Sequence, residues 1–127
     1  MNKGVYCLLI YLNSDKRISV GKLGELSFKK GYYGYVGSAL NNLSKRIERH
    51  KRKEKKIRWH IDYLLNHAKV VGVETVETLK KIECSVNDKV SRVSSEIISS
   101  FGSSDCKCKG HLHYFGHSKP EPLTKHQ

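Results

Sequence analysis

Gly4-Val5-Tyr6-Cys7-Leu8-Leu9-Ile10-Tyr11-Leu12 and, further on, Gly31-Tyr32-Tyr33-Gly34-Tyr35-Val36-Gly37 are the stretches whose reading decides the fold. The first is an unbroken run of aliphatic, β-branched and aromatic residues, which reads as a strand buried on both faces. Asn13-Ser14-Asp15 is a turn signal. Arg17-Ile18-Ser19-Val20 then alternates polar and apolar, as a second or edge strand does, before Gly21, Gly24 and Glu25 interrupt it. The 31–37 stretch is a further strand whose glycines permit close backbone approach. Three short strands with turn-length connections predict an antiparallel meander.

Beyond the meander the period changes. Asn41 or Asn42 suits a helix cap. Leu40, Leu43 and Ile47 follow at spacings of three and four, so one side of that helix faces a core. Arg46 and His50 lie four apart on a neighbouring stripe and project together. Residues 59–67 read as a second helix and 69–76 as a β-branched strand. Val86, Val90, Val93, Ile97 and Phe101 keep helical spacing, and Gly102 supplies a stop. Residues 111–115 suggest one last strand. The expected class is α/β in the α+β sense: a small antiparallel three-stranded meander flanked by helices, with an additional strand or two. One domain is expected over 1–117, with a loose tail over 118–127.

The composition fits this. The chain has 127 residues, 38% hydrophobic and 28% charged, which is globular. It contains no apolar run of the ~18 residues that cross a bilayer, and its N-terminus lacks a signal-peptide layout, so a cytoplasmic protein without membrane contact is expected. Lys and Arg number 24 against 12 Asp and Glu, a formal net charge of +12. The excess concentrates in 45–58, where Lys45, Arg46, Arg49, Lys51, Arg52, Lys53, Lys55, Lys56 and Arg58 face two acids, Glu48 and Glu54. Such a run is either a solvated face or a contact surface for a polyanion; global and local excess together favour nucleic acid.

Two tripeptides carry a resemblance. Gly4-Val5-Tyr6 opens the first strand, Tyr35-Val36-Gly37 closes the third, and Arg46 and His50 follow on a helix, with Glu83 downstream. The set resembles the GIY-YIG nuclease superfamily, with Val for Ile at positions 5 and 36. More closely, the chain to about Phe115 is similar to a small archaeal and bacterial DUF123-like domain of unknown function, sometimes fused to a base-excision glycosylase. The residues that carry this closer likeness are Tyr35-Val36-Gly37-Ser38-Ala39, Trp59-His60-Ile61-Asp62-Tyr63-Leu64-Leu65, Glu83-Cys84, and Ser104-Asp105-Cys106-Lys107-Cys108 with His111-Leu112.

The resemblance implies a divalent-metal-dependent DNA endonuclease acting in repair or processing, with DNA as partner, branched or damaged DNA among its forms, and a repair glycosylase as a further partner. Carried over residue by residue, Tyr6 and Tyr35 border the site, Arg46 binds the phosphate and Glu83 holds one Mg²⁺ or Mn²⁺. Gly37 matches the glycine that lets the strand approach the site. His50 stands where relatives carry Tyr or His. Some repair relatives carry a lysine directly after the second glycine; Ser38 stands there here, and no lysine-assisted step is implied. Asn87 is a candidate for a late asparagine. The nucleic-acid contacts expected are Gly37, Ser38, Lys45, Arg49, Lys51, Arg52, Lys53, Lys55, Lys56 and Arg58.

The residue types suit the chemistry in their own right. Mg²⁺ prefers oxygen ligands and keeps several waters, so one carboxylate plus substrate phosphate suffices. Arg grips two phosphate oxygens at once. A tyrosine, with its ordinary pKa near 10, needs a cation nearby to act as base; Tyr6 is taken as the base and Tyr35 as the group orienting water or phosphate, or the reverse. Each also has a plain structural reading: sheet aromatics for Tyr6 and Tyr35, a helix-terminus charge for Glu83, a surface histidine for His50, and core for Trp59, Tyr63, Leu64 and Leu65; His60 and Asp62 either reach the same cleft or satisfy one another.

Two further readings stay open: a nucleic-acid-binding module without catalysis, and a zinc-stabilised interaction domain. The second rests on Cys84, Cys106, Cys108 and His111, three thiols and an imidazole that can hold Zn²⁺ tetrahedrally. The spacing C-x-C-x₂-H is not that of a standard finger, and the same residues can equally be a redox-sensitive thiol cluster or plain packing. Cys7, inside an apolar strand, reads as a small hydrophobe.

Overall fold

The computed structural model describes residues 2–39, 41–53, 55–102 and 108–120. Leu40, Cys106 and the tail beyond Pro120, all part of the expectations above, lie outside the described residues. The fold is mixed α+β, and among the described residues it has a five-stranded antiparallel sheet, a separate two-stranded sheet and three α-helices.

β1 (Gly4–Leu12) is the second strand of the large sheet, whose order is β5-β1-β4-β7-β6. It pairs with β4 (Gly31–Ala39) on one side and with β5 (Lys69–Glu77) on the other. β4 pairs in turn with β7 (Leu112–Gly116), and β7 with β6 (Glu96–Ile98). The side chains of β1 alternate. Tyr6, Leu8, Ile10 and Leu12 join a large core with Leu43, Ile61, Leu64, Leu65 and Phe101. Val5 and Cys7 join a small one with Val36 and Val90. Helices therefore cover both faces, which is why β1 is a continuous apolar run. α1 (Leu43–Lys51) and α2 (His60–Leu65) lie over the large core, and α3 (Glu83–Val93) over the small one.

Three expectations are corrected. The meander is not three consecutive strands of one sheet. β1 pairs directly with β4, and the intervening segment closes on itself as the hairpin β2 (Lys16–Ser19) and β3 (Glu25–Phe28). Gly21 and Gly24 take φ of 49° and 77° in its connection, values glycine adopts without cost. Ile18, Val20 and Phe28 bring this hairpin into the large core.

The long helical stripe also stops early. α3 ends at Val93, and Glu96–Ile98 becomes an edge strand on β7, with Ile97 opposite His113. Ser94 and Ser95 break the helix: the Ser94 hydroxyl donates to the Ser91 carbonyl, and the Ser95 amide to that of Tyr114. α1 is capped from afar. Asn42 sits at the N-cap with φ 55°, a conformation asparagine tolerates, and makes no side-chain cap bond. Asn2 Oδ1 instead accepts from the Ser44 amide at 2.9 Å. Among the described residues no helix is long and apolar enough to cross a membrane.

Candidate functional site

At one end of the large sheet a cleft of about 280 Å³ is lined by Tyr6, Tyr35, Gly37, Ser38, Arg46, Arg58, Trp59, His60, Glu83 and Gly102. Tyr6, Tyr35, Arg46 and Glu83, from β1, β4, α1 and α3, thus share one depression although they span 78 positions of the sequence. The pairing of β1 with β4 sets the two tyrosines, and α1 and α3 bring Arg46 and Glu83. Tyr6 is directly opposite Gly37, and a Cβ at position 37 would collide with the Tyr6 phenol, so the lack of a side chain there is what lets the ring lie across β4 into the cleft.

Arg46 is held in two ways. Its Nη1 donates to the Ser38 carbonyl at 3.1 Å, and its guanidinium carbon lies 4.7 Å from the centre of the Trp59 ring. Arg49 and Arg58 approach the same ring at 4.4 and 5.5 Å. Three cations over one indole draw on its negative π faces, and they tie α1 to the segment before α2.

The phenols are held protonated. Burial pushes Tyr6 up to about 12, although the Arg46 guanidinium beside it pulls the other way. Burial pushes Tyr35 higher still. His50 is not on the surface: it is 2% exposed and sits behind Tyr6, with Nε2 2.8 Å from the phenol oxygen. Burial lowers its pKa to about 4, so the imidazole is neutral at pH 7. Its Nδ1 is buried with no partner among the described residues. A bare lone pair there costs less than an orphaned N–H. Nε2 therefore carries the hydrogen and donates to the Tyr6 oxygen, which turns the Tyr6 hydroxyl hydrogen outward.

Asp62 does not enter the cleft. It is fully buried and takes two hydrogen bonds from Arg49, at 3.1 and 3.0 Å, plus the amides of Arg58 and Trp59. Burial alone would raise its carboxyl, but these bonds outweigh it and hold Asp62 below the usual carboxylate range. His60, by contrast, lines the cleft. Its Nδ1 accepts from the Gly102 amide at 2.9 Å, so Nε2 carries the hydrogen of the neutral ring. His60 and Asp62 therefore do not satisfy one another.

Glu83 is at the first position of α3, half-buried, with Oε2 3.1 Å from His111 Nδ1. Asn87, one turn on, is buried away from the cleft; its amide nitrogen donates to the Gly110 carbonyl, and its Oδ1 accepts from His113 at 2.6 Å.

The basic run divides. Arg49 is engaged by Asp62 and by the Lys56 carbonyl, and Lys55 donates to the His50 and Arg52 carbonyls at the end of α1. Lys45, Lys51, Arg52, Lys53, Lys56 and Arg58 are exposed, and of these Arg58 lines the cleft. Trp59 and Gly102 are cleft residues that residue-level reading places elsewhere, in the core and at a helix stop; Arg58 is among the expected nucleic-acid contacts, and for His60 a reach into the cleft is one of two readings. For Trp59 the sequence signal is its position between a basic run and a short helix; Gly102 carries none.

A family model for a domain of unknown function, DUF123, matches residues 5–126. No curated protein and no solved structure matches the chain.

Proposed function

The chain belongs to the DUF123 family, and we propose that its cleft hydrolyses a DNA phosphodiester with one Mg²⁺ or Mn²⁺, by GIY-YIG-type chemistry, in DNA repair or processing. The observation that supports this reading is the convergence of Tyr6, Tyr35, Arg46 and Glu83 on one cleft beside exposed cations. The donor set fits a hard ion: Glu83 offers carboxylate oxygen, and the cleft of about 280 Å³ exceeds the roughly 180 Å³ of six waters at ~30 Å³ each. Bound by Glu83 and a substrate phosphate, the ion supplies charge relief on the phosphoryl and leaving oxygens. Arg46, fixed by Ser38 and Trp59, grips the phosphate in a ready-made orientation.

As phenolate, Tyr6 takes the proton of the attacking water while that water's oxygen forms its bond to phosphorus, the ester bond from phosphorus to the leaving sugar oxygen breaks, and that oxygen takes a proton from solvent. His50 is not the next proton acceptor. Passing the phenol proton to His50 is uphill, because burial raises the phenol's pKa and lowers that of the imidazole. His50 instead donates to the phenol oxygen, which with Arg46 lowers the cost of the phenolate. Tyr6 loses its own proton to solvent beforehand, so cleavage rises with pH through the neutral and mildly alkaline range. Tyr35 orients the water or the phosphate.

The test is nicking of plasmid and branched DNA with Mg²⁺. Glu83→Ala and Arg46→Ala are each expected to lower cleavage by about 100-fold or more, and Tyr6→Phe to remove the rise with pH. Equal cleavage by wild type and the Glu83 and Arg46 variants would overturn the reading. A second reading, a nucleic-acid-binding module without catalysis, draws on the protonated phenols and the exposed lysines. It predicts no cleavage, and binding whose log K falls with log salt at a slope of roughly −5 if about six phosphates are contacted.

A further inference from the structure

Three soft-metal donors meet on the α3 side of the sheet. Cys84 in the first turn of α3, Cys108, and His111 just before β7 each bring one ligand atom within 4.8 Å of the others. Neither cysteine is in a disulfide. Around a tetrahedral Zn²⁺, with Zn–S about 2.3 Å and Zn–N about 2.0 Å, donor atoms stand roughly 3.5–3.8 Å apart. The observed cluster is thus within about 1 Å of closure, which rotation of an exposed cysteine side chain supplies.

His111 is already set as a ligand. It is fully buried, and Nδ1 lies 3.1 Å from the Val36 carbonyl oxygen and 3.1 Å from Glu83 Oε2. A carbonyl and an ionised carboxylate both accept, so Nδ1 carries the hydrogen and the lone pair is on Nε2. A ring nitrogen held by carboxylate and carbonyl while the other faces the metal is the arrangement that fixes metal-bound histidines. A depression lined by Cys84, Asn87, Ile97 and Cys108 gives access from solvent.

We propose that Cys84, Cys108 and His111 bind Zn²⁺ through two thiolates and Nε2, with one tetrahedral position left for a further donor. Thiolate and imidazole select zinc over the hard ions that suit Glu83 alone. The chain then has two chemically distinct metal sites joined by one hydrogen bond. Zinc holds His111, and His111 holds Glu83 at the cleft. The zinc site is independent of the nuclease reading; the consequence for Glu83 rests on it.

The experiment is metal analysis of the full chain purified without chelator, with Co²⁺ substitution as a spectroscopic probe. About one zinc per chain is expected, with a thiolate-to-cobalt charge-transfer band and the strong visible bands of a tetrahedral site. Cys84→Ser changes an exposed residue outside both cores, so it keeps the fold, and it is expected to reduce zinc to background and remove the charge-transfer band. The proposal is overturned if wild type loses equimolar zinc on gel filtration, if cobalt shows no thiolate band, or if C84S retains as much zinc as wild type. None of these readouts needs DNA, so a failed nuclease assay leaves them unaffected. Where cleavage is seen, C84S is expected to raise the Mg²⁺ concentration for half-maximal rate several-fold. No change there overturns the link to Glu83 and not the zinc site.

Discussion

Asp62 and Glu83 are two carboxylates at the starts of two helices on opposite faces of one sheet, and their surroundings differ in kind. Asp62 is fully buried in the large core and has four hydrogen-bond donors. Glu83 keeps 31% of its side chain exposed, with His111 on one oxygen. A carboxylate whose lone pairs are taken by the protein has nothing left for an ion, whereas one that is half-solvated with a single neighbour does. The contrast extends to the helices. α1 and α2 fix Arg46, Arg49 and Asp62 in contacts around Trp59, while α3 presents Glu83 and Cys84 toward solvent, where ligands arrive.

The largest effect expected is on both faces at once. His50 on the inner side of α1 and His113 on β7 beneath α3 each have a folded pKa lowered by burial to about 4, below the ordinary 6.5. Between these values the unfolded chain binds a proton on each ring that the folded chain refuses. The stabilisation is complete above pH 6.5 and is lost as pH falls from 6.5 to about 4, by about 3 kcal/mol per histidine. Urea titrations at stepped pH should show this fall, with His50→Gln removing the share of one face and His113→Gln that of the other. An unchanged pH profile in either variant would remove that histidine from the account.

Next in size is the contrast between the carboxylates themselves. Asp62→Ala leaves the half-buried Arg49 guanidinium without its partner and uncaps α2, which costs about 3–5 kcal/mol. Glu83→Ala costs about 1 kcal/mol or less, the value of a charge at a helix N-terminus, while removing cleavage on the proposed reading. Comparable destabilisation by both changes, seen in chemical denaturation at pH 7, would mean that Glu83 is a structural group like Asp62.

What could be read from the chain follows the same division. The 4–12 run and the 31–37 strand were legible because burial on two faces leaves an apolar signature, while the set Tyr6, Tyr35, Arg46 and Glu83 was legible only through the family resemblance, strand register accounting for the two tyrosines alone. The 13–30 segment was not legible as a hairpin: Ile18 and Val20 read equally well as part of the main sheet, and what excludes them is the direct pairing of β1 with β4. The stripe through Ile97 and Phe101 kept helical spacing across Ser94 and Ser95 because spacing is blind to the β7 edge that captures Ile97. His50 is expected at the site, with a surface histidine as the alternative, and neither reading shows that it is buried among exposed and half-exposed neighbours in sequence. Its burial depends on Tyr6 coming from 44 positions away.

Trp59 offers the smallest effect and the finest discrimination. Read from sequence it is core, yet it is half-buried at the cleft wall under three guanidinium groups. If its role is to hold Arg46, Trp59→Leu keeps apolar bulk and loses a cation–π contact of about 1 kcal/mol, so phosphate binding weakens about fivefold. That is far less than Arg46→Ala, because Arg46 retains its bond to the Ser38 carbonyl. The change should appear in KM, with the dependence on pH untouched, since Tyr6 and His50 keep their own contact. A loss as large as that of Arg46→Ala would mean that the indole itself meets the nucleic acid, by stacking on a base. The α1/α2 face would then supply a binding surface as well as a scaffold, and the division between the two faces would no longer hold at the cleft.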